Sequence, residues 1–93
     1  MLTPQNIKDI IAGKSVSQQV ELLDGLISRS DSDKEKALIL AEKGKLLWKS
    51  GDRAGAISAY EQGGALDPGG AAALLLDHSR GIMDFFNPDL LNP

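Results

Sequence analysis

The sequence predicts an all-α domain of about five helices that pair as antiparallel hairpins. Three observations carry that expectation. Apolar residues recur at three- and four-residue spacing in nearly every segment. No segment alternates with the two-residue period of a strand. Caps, glycines and prolines divide the chain at short intervals, so each helix is followed closely by the next.

The first helix starts at Thr3, an N-cap residue, with Pro4 in the first helical position, where its missing N–H is harmless. Ile7, Ile10 and Ile11 fall on one face and Gly13 ends it. The second helix follows Ser15 or Ser17 and presents Val20, Leu22, Leu23, Leu26 and Ile27. Gly25 inside it costs about 1 kcal/mol against alanine, which predicts a closely packed neighbour. Residues 28–32 are a polar connector. At Ser32-Asp33-Lys34-Glu35 the pattern is a capping box, in which the serine hydroxyl and the glutamate carboxylate each satisfy a free backbone N–H. Asp33 and Glu35 also suit the positive end of the helix dipole. Leu38, Leu40, Ala41, Gly44, Leu47 and Trp48 carry the third helix to Ser50, and Gly51 terminates it. Asp52 caps a fourth helix through Ala56, Ile57, Tyr60 and Leu66. Asp67-Pro68-Gly69-Gly70 breaks the chain. A fifth helix, from about Ala71 to Phe86, sets Leu75, Ile82 and Phe86 on one face, and Asn87-Pro88 ends it.

Composition narrows the function. Ninety-three residues make one domain, and at 42% hydrophobic and 25% charged it is an ordinary globular chain. The lack of cysteine excludes disulfides, thiolate metal sites and cysteine nucleophiles, and a single histidine excludes multi-histidine metal centres. A net charge of −3 argues against nucleic acid as a partner. The N-terminus has neither the basic nor the apolar region of a signal peptide. The longest apolar run, Ala71 to Leu76, is far shorter than the roughly 18 residues of a membrane span. The expectation is a soluble, cytoplasmic protein with no membrane partner and no cofactor.

A repeat pattern emerges in the third and fourth helices. Leu40, Gly44 and Leu47 take the large, small and large places of the first helix of a hairpin. Gly51-Asp52 makes the turn, Ala56 and Tyr60 follow at four-residue spacing, and Leu66-Asp67-Pro68 closes the unit. Small side chains at Gly44 and Ala56 let two backbones approach, and Tyr60 fills the wedge toward the next helix. This stretch resembles the tetratricopeptide repeat. Lys43 departs from the usual leucine and must run its stem along apolar surface to keep its ammonium in water. Gly63 and Gly64 depart from the usual alanine and helix formers and predict a loose helix end. A shift that places Val20 on Ile57 and Leu23 on Tyr60 makes the first two helices an earlier, degenerate repeat, with Gln19 where the clear repeat has Ala56. The resemblance therefore implies a single domain over 1–93. It comprises a degenerate repeat (1–31), a clear repeat (32–68), a capping helix (70–86) that covers the end of an αα-superhelix, and a tail (87–93). The tail Asp84-Phe85-Phe86-Asn87-Pro88-Asp89-Leu90-Leu91-Asn92-Pro93 is similar to that of small single-domain tetratricopeptide-like proteins of Bacteroidetes-type bacteria.

Tetratricopeptide folds bind peptide segments on the concave surface made by the first helix of each repeat. The resemblance places Ala41, Lys45, Trp48 and Lys49 there, with Leu38 near the entry. Lys45 and Lys49, four residues apart, share a face. Two lysines beside an aromatic suit an acidic or C-terminal peptide, although the asparagine of a carboxylate clamp has no match. The competing reading packs Trp48 on the first two helices and leaves the lysines as a solvated face. Leu90 and Leu91, between Asn-Pro pairs that stop helix formation, are either a docking motif or a segment folded back on the domain. Phe86 is expected to cover the helix-pair core.

No catalytic arrangement survives inspection. Ser79, His78 and Asp77 are adjacent in a helix and point in different directions, which favours a structural histidine over a Ser–His–Asp triad. Asp31, Asp33 and Glu35 lack the glycine and distal glutamate of a calcium loop. The paired glycines lack the Lys-Ser/Thr of a phosphate loop. The expectation is a non-enzymatic protein-interaction module. The alternative is a self-associating subunit that uses the C-terminal helix and tail to form a homo-oligomer.

Overall fold

The computed structural model describes residues 2–85 and contains no strand among them. Five helices follow one another: α1 (Pro4–Ile11), α2 (Val16–Arg29), α3 (Asp33–Lys49), α4 (Arg53–Leu66) and α5 (Ala71–Phe85). Phe86, Leu90 and Leu91, and with them the expected tail, lie outside the described residues, as do the side chains of Ile82 and Phe85.

The starts and stops follow from local chemistry. Thr3 Oγ1 accepts from Asn6 N–H at 3.1 Å while Asn6 Oδ1 accepts from Thr3 N–H, so α1 has a reciprocal capping box. Ser15 and Gln18 do the same for α2, which fixes its start at Ser15 rather than Ser17. The box expected at Ser32 is only half formed. Ser32 Oγ accepts from Glu35 N–H, but the Glu35 carboxylate turns away to accept from Ser30 Oγ at 2.9 Å and from Leu2 N–H at 3.3 Å. It thus ties the start of the chain and the α2–α3 joint to the first turn of α3. Gly13 and Gly51 both take positive φ (76° and 97°), which lets the chain turn sharply after α1 and α3.

Each helix packs on the next, and α3 also touches both α1 and α5. The result is an elongated stack of 47 × 29 × 19 Å with α3 at its centre. Its two halves are built differently. On one side of α3, the branched aliphatics Ile7, Ile11, Leu23 and Ile39 form the core, with Leu22, Leu26, Ile27, Leu38 and Leu46 against it. Ile10, expected on the same face, is 39% exposed, because α1 is too short and lightly packed to bury a wider stripe.

On the other side the contact is made mostly of small residues, packed around Leu40 and Tyr60. Ala37, Leu40, Ala41, Ala56, Ala59, Tyr60 and Ala72 are all buried. A methyl added at Gly44 would run into the Tyr60 ring, and one at Gly63 would meet the Ala72 methyl at 2.6 Å and Leu40 Cβ at 3.3 Å. Gly63 is therefore the point where α3, α4 and α5 converge, which corrects the expectation of a loose helix end there. Gly25 is the reverse case. Among the described residues the one neighbour of an added methyl is Arg29 Nη2 at 3.5 Å, so no close packing there explains that glycine. Lys43 reaches Asp24 on α2 at 2.7 Å, and this ion pair holds the ammonium at the surface beside its apolar stem. Gln19 stands where the clear repeat has Ala56, and its Nε2 donates to Ile11 O at 2.9 Å. That bond holds α2 to the end of α1.

Candidate functional site

Between α1, α2 and α3 lies an open cavity of about 300 Å³. Ile11 and Leu46 supply its apolar part, Gln19 and Glu42 its neutral and acidic polar groups, and Lys8, Lys45 and Lys49 its cations. The helix geometry explains the grouping. On α3, Glu42, Lys45, Leu46 and Lys49 follow one another at three- and four-residue spacing and share the face turned to α1. On α1, Lys8 and Ile11 are three apart, with Ile11 rooted in the core and Lys8 at the rim.

Charge in this groove is uneven. Glu42 is 5% exposed and accepts from Lys45 Nζ at 3.3 Å, so the buried carboxylate is compensated at short range. Among the described residues, Lys8 and Lys49 make no ion pair. Three lysines against one glutamate leave the groove cationic over an apolar floor. Glu42 also acts across α3. Burial, and secondarily the Glu42 charge, raise the Tyr60 phenol above its usual 10.0.

The residues expected to form one binding face divide between two. Lys45 and Lys49 line the groove together. Ala41 does not: it is 1% exposed, because it lies on the α3 stripe Ala37–Leu40–Ala41–Gly44 that packs toward α4 and α5. Trp48, seven residues on from Ala41, continues that stripe and is half-buried, with the Arg53 guanidinium 4.8 Å above its ring. The ring is thus engaged by the start of α4, and it is not among the residues that line the groove. Of the repeat positions, Leu40, Gly44, Ala56 and Tyr60 are buried, Leu47 is half-buried, and Gly51 and Pro68 sit in exposed turns.

Lys8, Ile11, Gln19 and Glu42 were missed as groove residues. The Glu42 signal was present, since a carboxylate inside the Leu38–Glu42–Leu46 stripe must find a cation nearby. Nothing in the sequence brings Lys8 to Lys49.

Other clusters do not assemble. His78 and Asp77 are exposed while Ser79 is 4% exposed, so the three point in different directions. Among the described residues, no three histidine or acidic side chains converge as a metal site. No described helix is long and apolar enough to cross a membrane. Comparison with known protein families, with curated proteins and with solved structures finds no match to this chain.

Proposed function

We propose that the chain is a non-enzymatic protein-interaction module of the tetratricopeptide kind, which takes an acidic, partly apolar peptide segment of a partner protein into the α1–α3 groove. The observation that carries this reading is the meeting of Lys8, Lys45 and Lys49 over Ile11 and Leu46. Ammonium groups at the rim attract carboxylates, and the apolar floor accepts a leucine-sized side chain. The packing supports the tetratricopeptide part. The odd-numbered helices α1, α3 and α5 lie in contact as successive first helices would, and small residues join α3 to α4.

The test is titration of a dye-labelled hexapeptide of glutamate and leucine, followed by fluorescence anisotropy. The reading expects binding that weakens with added salt and is lost in the Lys8→Glu, Lys49→Glu double variant while helicity is unchanged. Equal affinity in both chains, or a preference for a lysine-and-leucine hexapeptide, removes it.

Leu74 on α5, 70% exposed, favours the second reading, a self-associating subunit. Size measurement in solution decides that one: a mass that stays monomeric on concentration excludes it.

A further inference from the structure

The α1–α3 groove holds a carboxylate of which one oxygen lacks a donor. Glu42 is 5% exposed, and its Oε1 accepts from Lys45 Nζ at 3.3 Å. Its Oε2 has no donor among the described residues. No fully buried side-chain oxygen or nitrogen among those residues is left without a partner, so Oε2 is not sealed in the core but opens on the groove that Glu42 lines. A carboxylate so enclosed is stabilised by any further donor that reaches it.

The charge of the groove decides what kind of donor fits. An ammonium or guanidinium brought to Oε2 adds a cation beside Lys8, Lys45 and Lys49, whereas a neutral N–H meets no such repulsion. A peptide segment carries neutral N–H groups along its backbone, and each one that leaves water in the groove needs an acceptor. The helix walls have few to offer, because their backbone carbonyls are engaged within the helices. Among the described residues that line the groove, Gln19 and Glu42 carry a side-chain oxygen, and Glu42 is the charged one. The same carboxylate repels the acids of the segment from the floor and leaves them to the lysines.

We infer that Glu42 reads the backbone of the bound segment: its Oε2 accepts one main-chain N–H from an extended stretch of the acidic peptide, which fixes the register of the segment in the groove. This rests on the groove reading under Proposed function and adds a specificity-determining contact to it.

The test is a scan in which each backbone N–H of the glutamate–leucine hexapeptide is N-methylated in turn. Every peptide is titrated against the parent protein and against Glu42→Met. Methylation at one position is expected to weaken binding to the parent protein about ten- to a hundredfold, the loss of a charge-assisted hydrogen bond. At that position the penalty in Glu42→Met shrinks to about twofold, within the usual error of additivity. Penalties at the other positions match between the two proteins. The change in groove charge is common to all the peptides and cancels in this cycle, and a merely structural Glu42 gives no dependence on position. The parent protein alone supplies a second reading, which holds even if Glu42→Met loses its helicity. With the hexapeptide isotope-labelled, the amide proton at the sensitive position moves downfield on binding, as a hydrogen bond to a carboxylate requires. Penalties that match between the proteins at every position, or the lack of a downfield amide, overturn the inference. If the unmodified hexapeptide binds in that case, and the Lys8→Glu, Lys49→Glu variant loses it, the proposed function stands without the Glu42 contact. If the unmodified hexapeptide does not bind the parent protein, the proposed function falls and this inference falls with it.

Discussion

Gly44 and Gly25 both sit inside helices, and one added methyl has opposite consequences at the two positions. At Gly44 the methyl collides with the Tyr60 ring, itself 2% exposed and held between α3 and α4. Gly44→Ala is expected to destabilise the protein by about 1–3 kcal/mol through overpacking. At Gly25 the nearest atom is the end of a flexible arginine, so Gly25→Ala gains helix propensity, up to about 1 kcal/mol. Thermal melts of the two variants should move in opposite directions from the parent. Tyr60 offers a second probe at this scale. It is the only tyrosine, so phenolate absorbance reports it alone. Its pKa is raised in the folded protein, so the anion is disfavoured there. Its contribution to stability is complete below pH 10.0 and is lost as the pH rises through the folded value. Glu42→Gln should lower the titration midpoint in part, leaving the larger effect of burial.

At the scale of the element, Glu35 shows how a side chain can leave a local motif for a tertiary one. The sequence S-D-K-E predicts a closed capping box, but the carboxylate instead bonds Ser30 and the Leu2 backbone. Ser32 still caps α3 with its hydroxyl, which satisfies the Glu35 N–H without the reciprocal bond. Glu35→Ala is therefore expected to loosen the α2–α3 joint and the start of the chain together. Removing the acceptor breaks the Ser30 and Leu2 bonds, but the Ser30 hydroxyl still has Ser32 O at 3.3 Å to donate to, so the cost is about 0.5–1.5 kcal/mol. Hydrogen exchange should quicken in α1 and around Ser30 more than in α4. Equal protection throughout would show that the carboxylate does not tie these segments together.

Across the whole molecule, α3 is the member shared by an aliphatic core and a small-residue core. Leu23 belongs to the first of these and is fully buried. Leu23→Ala should cost about 2–5 kcal/mol by removing atoms and leaving a cavity. Because α3 serves both sides, the Trp48 environment on the α4 side should melt with the rest. Trp48 fluorescence and far-ultraviolet helicity are expected to shift to the same lower midpoint, as a cooperative transition requires. A Trp48 transition that stays at the parent temperature would mean that the α3–α4–α5 side holds alone. The same central placement of α3 positions the groove, since its outward face meets α1 while its inner stripe meets α4 and α5.

The sequence by itself determined the helices and their ends. Caps at Thr3, Ser32 and Asp52, glycines at 13 and 51 and the break at residues 67–70 act through local backbone chemistry, which a linear reading can follow. It also determined the close approach at Gly44, because only glycine admits a ring there. The tertiary structure decided which faces met. Ala41 and Trp48 share a helix with Lys45 and Lys49, yet the small-residue packing of α3 on α4 and α5 turns the first two away from the groove. Lys8 joins Lys49 only because α1 lies across α3, a contact between residues far apart in the chain. Gly25 and Gly63 make the same point in opposite senses, for whether a glycine is slack or essential depends on the atoms another helix brings to it. Local patterns record hydrogen bonds and periodicity within a helix, whereas a site assembled from two helices depends on their relative placement.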